Sequence, residues 1–298
     1  MRKEKFGRSF FLFSNVLRWI AYPVLLLAVV SAATATLIEH ADPGHVIALF
    51  QFGTIGYLWA LERLIPYRAD WHADGREVRC YGLYFLLTMA GGVLAQLLVS
   101  SVVARLAPPH SALPPGAEIP LALLTGSLAK YLFHRWSHRN PWLWRLHGVH
   151  HALNKVNVGN NGVNHLLDIA LGQAVVQLSL AVTGFSKESV FCATLFALAQ
   201  GYFVHANVDV RIGRLNHVLA GPEQHRLHHS TVLAEAGHYG ADFAIWDHAF
   251  GSFTWRPGRT PASVGLRDPG AFPATGDVLA SLLHPLRPAA GPGTGPSA

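Results

Sequence analysis

The chain has 298 residues, 51% of them hydrophobic and only 13% charged, where soluble domains carry about 25% charged residues; with a mean hydropathy of +0.27 it reads as a membrane protein. The net charge of +6, from 23 Lys and Arg against 17 Asp and Glu, has no basic stripe interleaved with aromatics, so nucleic acid is excluded as a partner and anionic headgroups fit the excess. The only cysteines, Cys80 and Cys192, lie outside any CxxC, which excludes a disulfide framework, thiolate zinc and four-cysteine iron–sulfur clusters; any metal is held by nitrogen and oxygen.

In chain order, residues 1–16 carry Arg2, Lys3, Lys5 and Arg8. An apolar run of about 20 residues follows, long enough to cross the hydrocarbon core and without a signal-peptidase site leading into a soluble domain. Spans are expected at 17–38, 46–66, 82–105 and 119–135, then at 166–184 and 188–206, the last two as a membrane hairpin. The fold class is therefore all-α, a polytopic helical membrane protein. Residues 1–118 form the N-terminal transmembrane helices, 119–260 a histidine-bearing domain with the hairpin, and 261–298 a C-terminal extension whose Pro- and Gly-rich tail is expected to be disordered from about 285. Basic residues alternate along the connections: four before the first span, none in 39–45, Arg68, Arg76 and Arg79 in 67–81, none in 106–118. The positive-inside rule then places the N-terminus, the 67–81 loop and the ends of the spans at His134 and His205 on the cytoplasmic side. Trp136, Trp142 and Trp144 read as an interfacial aromatic belt.

Thirteen of the 18 histidines fall between His134 and His248. Eight form compact groups: His134 and His138 as HxxxH, then His147, His150, His151 and His225, His228, His229 as two HxxHH. Helical positions three and four apart share a face, so HxxxH presents two imidazoles to one point and each HxxHH three. Imidazole is the common ligand of transition metals, and eight exceed what one ion takes, so two metals are expected. A single HxxxH arises by chance; three groups among Trp, Leu and Val are unlike a polar metal-scavenging tract. Pro141 breaks the helix between the first two groups, and Pro222 starts the helix bearing the third. No GxSxG, HExxH or GxGxxG is present, which removes the serine hydrolase, zinc protease and dinucleotide readings. Asp42-Pro-Gly-His45 is only superficially like a cytochrome b5 haem motif.

Over about residues 125–255 the ordered set resembles the fatty acid hydroxylase/sterol desaturase superfamily of membrane di-iron oxygenases. It comprises the three histidine groups, Phe203-Val-His205-Ala-Asn207, Pro222-Glu-Gln-His225, Tyr239-Gly240 and Trp246-Asp247 followed by Phe250-Gly251. The resemblance implies a helical membrane domain under a cytosolic, histidine-lined di-metal cap. It implies two iron ions, with zinc as a possible substitute, and O2 as co-substrate. The ligands implied are His134, His138, His147, His150, His151, His225, His228 and His229, with His205 as a ninth. His165 resembles a further family histidine, although Leu166 stands where the family usually has Pro. His238 stands where Asn is common, and Lys130 replaces an acid a turn before the first group, a position from which it reaches headgroups. Asn207, His238 and Asp247 are implied as supporting residues, Asn207 towards a metal-bound water; Asp168, Asp209 and Asp242 are further acceptors for ligand histidines. His217 and His248 read as incidental. The implied activity is hydroxylation or desaturation of a lipid at an unactivated C–H bond, with electrons from a separate ferredoxin or a cytochrome with its reductase. A metal or haem transport or electron-transfer protein is the alternative; histidines gathered at one end of the spans argue against a pathway through them.

Overall fold

The computed structural model describes residues 2–106 and 113–287, with side chains from Leu12 onward. The long helices are α1 (Arg2–Leu37), α2 (Pro43–Leu64), α3 (Gly75–Leu106), α4 (Pro115–Ser137), α6 (Leu166–Thr183) and α7 (Lys187–His205). Shorter ones are α5 (Pro141–His151), α8 (Pro222–His228), α9 (Ile245–Ala249) and α10 (Val278–Leu283). Among the described residues there is no strand, only isolated bridges at Pro66–Val208, Leu219–Phe243 and Ser230–Val264.

The six expected spans correspond to the six long helices. Four of them, Leu12–Leu37, Pro43–Leu64, Gly75–Leu106 and Leu166–Thr183, are long and apolar enough to cross a bilayer; this is a membrane protein. The other two differ for a physical reason. α4 carries Glu118 and Lys130, and α7 is largely buried by its neighbours, so lipid contact does not dictate its composition.

Local sequence sets the ends of these helices. Asp42 caps α2 by accepting from His45 N at 2.8 Å, with Pro43 in the first turn, where a missing N–H costs nothing. Gly184 ends α6 with φ 77°, a left-handed position natural to glycine. Ser186 then caps α7, and Glu118 of α4 accepts from Ser186 N, Ser186 Oγ and Ser189 Oγ at 2.6–2.7 Å.

Packing fixes the register. In lipid, helices associate through close contact and polar pairs more than through hydrophobic transfer. α4 runs antiparallel to α6, with Gly126 against Val176 and Leu180 and Phe133 against Gly172. It runs parallel to α7, with Ala122, Ala193 and Leu180 in one cluster. The ends of α4 and α7 therefore reach His134 and His205 at the same level. α1 joins them through the stacked Tyr22 and Phe203 rings, 4.3 Å apart, and the Tyr22 hydroxyl donates to Gln200 at 2.8 Å.

The C-terminal extension closes over the cap. Phe272 fills the space beside Gly148 of α5, where a Cβ would lie 2.1 Å from its ring, and packs on Trp144 and His284. Burying such a ring from water stabilises by about 2–3 kcal/mol. The tail expected to be disordered from about 285 forms a 3-10 turn over His284–Leu286, because Arg145 donates to the His284 and Arg287 carbonyls; residues 288–298 lie outside the described residues.

Candidate metal centre

α4 delivers His134 in its last turn and His138 at its end. The chain then turns at Asn140, whose side chain caps α5 by accepting from Trp142 N and Leu143 N. Pro141 opens α5, so the break expected between the first two histidine groups is present. Pro222 likewise opens α8. α7 ends on His205.

The structure gathers nine histidines into two groups, the ring nitrogens within each lying no more than 4.8 Å apart. One holds His134, His138, His147, His151 and His228; the other holds His150, His205, His225 and His229. Each HxxHH is divided, and this corrects the expectation that all three of its imidazoles converge. In α5 the i,i+4 pair His147 and His151 serves the first group and His150 the second. In α8 the pair His225 and His229 serves the second and His228 the first. One helix face spans about 100°, so two adjacent sites can be fed from opposite edges of the same face. The groups share a wall: the His151 and His229 rings stack at 4.3 Å, and His225 meets His228 at 5.5 Å.

The hydrogen bonds fix tautomers. His134 Nδ1 donates to the Tyr239 carbonyl at 2.7 Å, His150 Nδ1 to the Val163 carbonyl at 3.1 Å and His205 Nδ1 to the Asn157 carbonyl at 3.1 Å. His147 Nδ1 donates to Asp168 Oδ2 at 2.9 Å. A carbonyl or carboxylate only accepts, so in each ring Nε2 carries the lone pair. The buried Nε2 atoms of His134, His147, His151 and His205 have no hydrogen-bond partner among the described residues. Buried polar atoms are ordinarily satisfied; several lone pairs facing one another at this spacing fit a cation at each group. In the second group His225 Nε2 and His229 Nε2 lie 3.1 Å apart. Burial, reinforced by neighbouring imidazoles, holds the pKa values of His150, His151, His225, His228 and His229 well below the usual histidine range. They are neutral, the state in which imidazole binds metal.

The other predicted residues fall elsewhere. His165 belongs to neither group. It caps α6, its Nδ1 accepting from Leu167 N at 3.1 Å while Nε2 donates to the Leu282 carbonyl at 3.1 Å, so both nitrogens are engaged in joining α6 to α10. The Asn207 carboxamide is engaged by backbone: Oδ1 accepts from Arg68 N and Nδ2 donates to the Arg68 carbonyl. Asp247 accepts from Tyr239 N, Gly240 N and Ser252 Oγ at 2.7–2.9 Å; it thus fixes the loop whose Tyr239 carbonyl holds His134. His238 is fully buried in a left-handed backbone with φ 70°, its Nε2 3.6 Å from Asp247 Oδ2, and burial lowers its pKa to about 4. Of the further acids, Asp168 alone touches a grouped histidine. Asp209 pairs with Arg18 at 2.8 Å. Asp242 pairs with Lys130 at 2.7 Å, so Lys130 reaches this buried carboxylate instead of a headgroup. His217 and His248 stack at the surface.

Sequence reasoning missed Glu62. Only 3% exposed, it accepts from Val158 N at 2.6 Å and Asn207 N at 2.8 Å through the same oxygen, clamping both sides of His205. It also missed the 157–163 turn, whose carbonyls hold His150 and His205. The signal there was Asn157, Asn160, Asn161 and Asn164, a polar run in an apolar chain; Asn157 and Asn160 cap each other.

Comparison with known proteins agrees with this geometry. A family model described as fatty acid hydroxylase matches residues 119–252. The ornithine lipid hydroxylase OlsE of Rhizobium tropici is 30% identical over 246 residues, covering 78% of this chain and 72% of that protein. The chain belongs to the fatty acid hydroxylase family. The alkylglycerol monooxygenases of Danio rerio and Homo sapiens are 30% and 29% identical over 56% and 44% of the chain, which spans only 33% and 29% of their lengths. No solved structure matches. The family match runs from within α4 to just beyond α9, so it contains all nine grouped histidines and leaves Glu62 and the C-terminal extension outside it.

Proposed function

We propose that this chain is a di-iron lipid hydroxylase, inserting one oxygen atom of O2 into an aliphatic C–H bond of a polar membrane lipid. The observation that carries the reading is the pair of adjacent all-imidazole groups with buried, unpartnered ring nitrogens. The first iron would be held by His134, His138, His147, His151 and His228, and the second by His150, His205, His225 and His229. When bound, the two irons supply the O2 reduction that no side chain provides.

The chain's own residues orient and shield. Tyr239, Val163 and Asn157 carbonyls hold three rings by their Nδ1–H, and Asp168 holds His147. A carboxylate acceptor raises ligand basicity and fixes ring direction. Burial by Trp144 and Tyr239, which pack on the first group, excludes water from the reacting region. Lipid hydroxylation is favoured over desaturation because the relatives above are named as hydroxylases and monooxygenases. The substrate reaches the site from the bilayer, the centre lies on the cytoplasmic face, and electrons come from a separate ferredoxin or a cytochrome with its reductase, docking at the basic cytoplasmic side.

The test grows cells expressing the wild type or the His150→Ala/His228→Ala double variant under ¹⁸O2, with metal measured on the purified proteins. A lipid gaining one ¹⁸O only with the wild type supports the reading. A lipid losing two hydrogens instead converts it to a desaturase. Identical lipidomes, with iron loaded and a donor supplied, would sink it.

A further inference from the structure

The register of the helices gives a depth scale. His134 and His205 end α4 and α7 at one level. Arg18 of α1 shares that level, since it pairs with Asp209, just beyond α7. From there α4 and α7 each run back about 19 residues, roughly 28 Å at 1.5 Å per residue, close to the hydrocarbon thickness. The metal centre therefore lies at the membrane boundary.

Two pieces of the cap extend below that boundary. Trp246 of α9 donates to Ser127 Oγ at 3.1 Å, and Ser127 lies seven residues before His134, about 10 Å deeper. Phe243 packs on Phe196 at 5.2 Å, nine residues before His205 and about 13 Å deeper. Phe250 stacks on Tyr131. The 211–220 segment follows the same descent: Arg211 N donates to the Arg18 carbonyl at the boundary, and Leu219 bridges Phe243 at depth.

Irregular backbone at such depth must satisfy its own polar groups. Here Ala220 N donates to Asp242 O at 3.0 Å and Ala244 N to Val218 O at 2.9 Å. Gln200 Nε2 donates to the Ala220 and Asp242 carbonyls, and Lys130 neutralises the Asp242 carboxylate. The outer side presents apolar side chains beside the exposed His217–His248 stack, whose ring nitrogens pair with each other at 3.4 Å. Leu215, Val218 and Phe250 are 50%, 48% and 45% exposed, while Arg211 and Arg214 are exposed on the same segment nearer the boundary. Apolar tips beneath arginines form the pattern of an interfacial insertion beside anionic headgroups.

We propose that residues 211–220 and 242–250 form a wedge sunk into the leaflet bordering the metal centre. Leu215, Val218 and Phe250 contact acyl chains, and Arg211 and Arg214 contact lipid phosphates. The proposal rests on the membrane location of the protein and not on its reaction.

The test uses the full chain in vesicles of phosphatidylcholine and phosphatidylglycerol. In a Cys80→Ala/Cys192→Ala background, single cysteines replace Leu215, Val218, Phe250 and, as reference, Val232, which is 44% exposed and neighbours Thr231, paired with the C-terminal segment at Ser263. Each carries an environment-sensitive fluorophore. Quenching by acyl-chain bromines is expected to exceed that at position 232 by about threefold or more at the wedge positions, with aqueous iodide quenching reversed. Wedge labels as open to iodide as position 232, or shielded only when a protein electron donor is added, would overturn the proposal. Should Phe250→Cys disturb its stacking on Tyr131 and fail to fold, the Leu215 and Val218 positions decide, because both side chains point outward.

Discussion

Glu62 offers the sharpest test of how the second histidine group is built. Its Oε1 takes the N–H groups of Val158 and Asn207 at 2.6 and 2.8 Å, and both amides are buried. Glu62→Ala leaves two orphaned donors. Each costs about 1–3 kcal/mol, so about 4 kcal/mol of local stability is lost. Glu62→Gln keeps a carbonyl oxygen in place and sacrifices only charge assistance, roughly 1–2 kcal/mol over the two bonds. The damage is directional. Val158 adjoins Asn157, whose carbonyl orients His205, and Asn207 follows His205 by two residues; the five-histidine group has no bond to Glu62. Purified full-length protein, with metal counted by mass spectrometry, should hold about two ions per chain in the wild type and Glu62→Gln, and about one in Glu62→Ala. Glu62→Ala should also melt several degrees lower, with Glu62→Gln within about 3 °C of wild type. An alanine variant that loses both ions equally, or keeps both with an unshifted melting temperature, would refute the clamp.

Asp168→Asn should weaken metal binding by about 10–100-fold in chelator competition, since His147 loses its anionic acceptor; unchanged affinity would mean the 2.9 Å bond has no role in tuning. His165→Ala should leave the metal count unchanged and cost about 0.5–2 kcal/mol through the lost α6 cap, whereas loss of an ion would restore this histidine as a ligand. In the metal-free protein the folded-state pKa values of His150, His151, His225, His228 and His229 lie below the unfolded value, as does that of His238 at about 4. Below about pH 6.5 the unfolded chain takes up protons that the folded one refuses, so stability is full above that pH and falls beneath it, by up to about 1.4 kcal/mol per pH unit for each group. Denaturation midpoints that stay flat from pH 8 to pH 5 would contradict it.

The sequence showed the long helices because hydropathy and length are properties of a single segment. The run expected at 17–38 ends one residue beyond α1, and those expected at 166–184 and 188–206 match α6 and α7 within two residues. Eight of the nine histidines were legible for the same reason, since i,i+3 and i,i+4 spacing is local; His205, alone at the end of its helix, was implied only by the family resemblance. What was not legible depends on contacts distant in sequence. Which imidazole of an HxxHH faces which site follows from how α4 and α6 seat α5 and α7 seats α8, not from spacing. Glu62 lies 143 residues before His205 and sits in a helix that otherwise reads as a plain span. His165 has the composition of a ligand and the geometry of a cap. Phe272 looks like one aromatic in a Gly- and Pro-rich stretch until Gly148 is found beneath it.

The opposite division of the two HxxHH helices has a mechanical consequence. α5 sends His147 and His151 to one group and His150 to the other; α8 sends His228 to the first and His225 and His229 to the second. No rigid movement of either helix can alter one group and spare its neighbour. Each helix is also fixed from outside the groups. Phe272 presses on α5 at Gly148. Arg226 of α8 lies buried over the Tyr67 ring at 3.8 Å, a contact that strengthens with desolvation. Tyr67 N in turn donates to the Asn207 carbonyl, two residues beyond His205. The contacts that set α8 and those that set His205 thus run through the same Tyr67–Asn207 junction, so the four-histidine group is braced at both of its edges by one connection between α2 and α7.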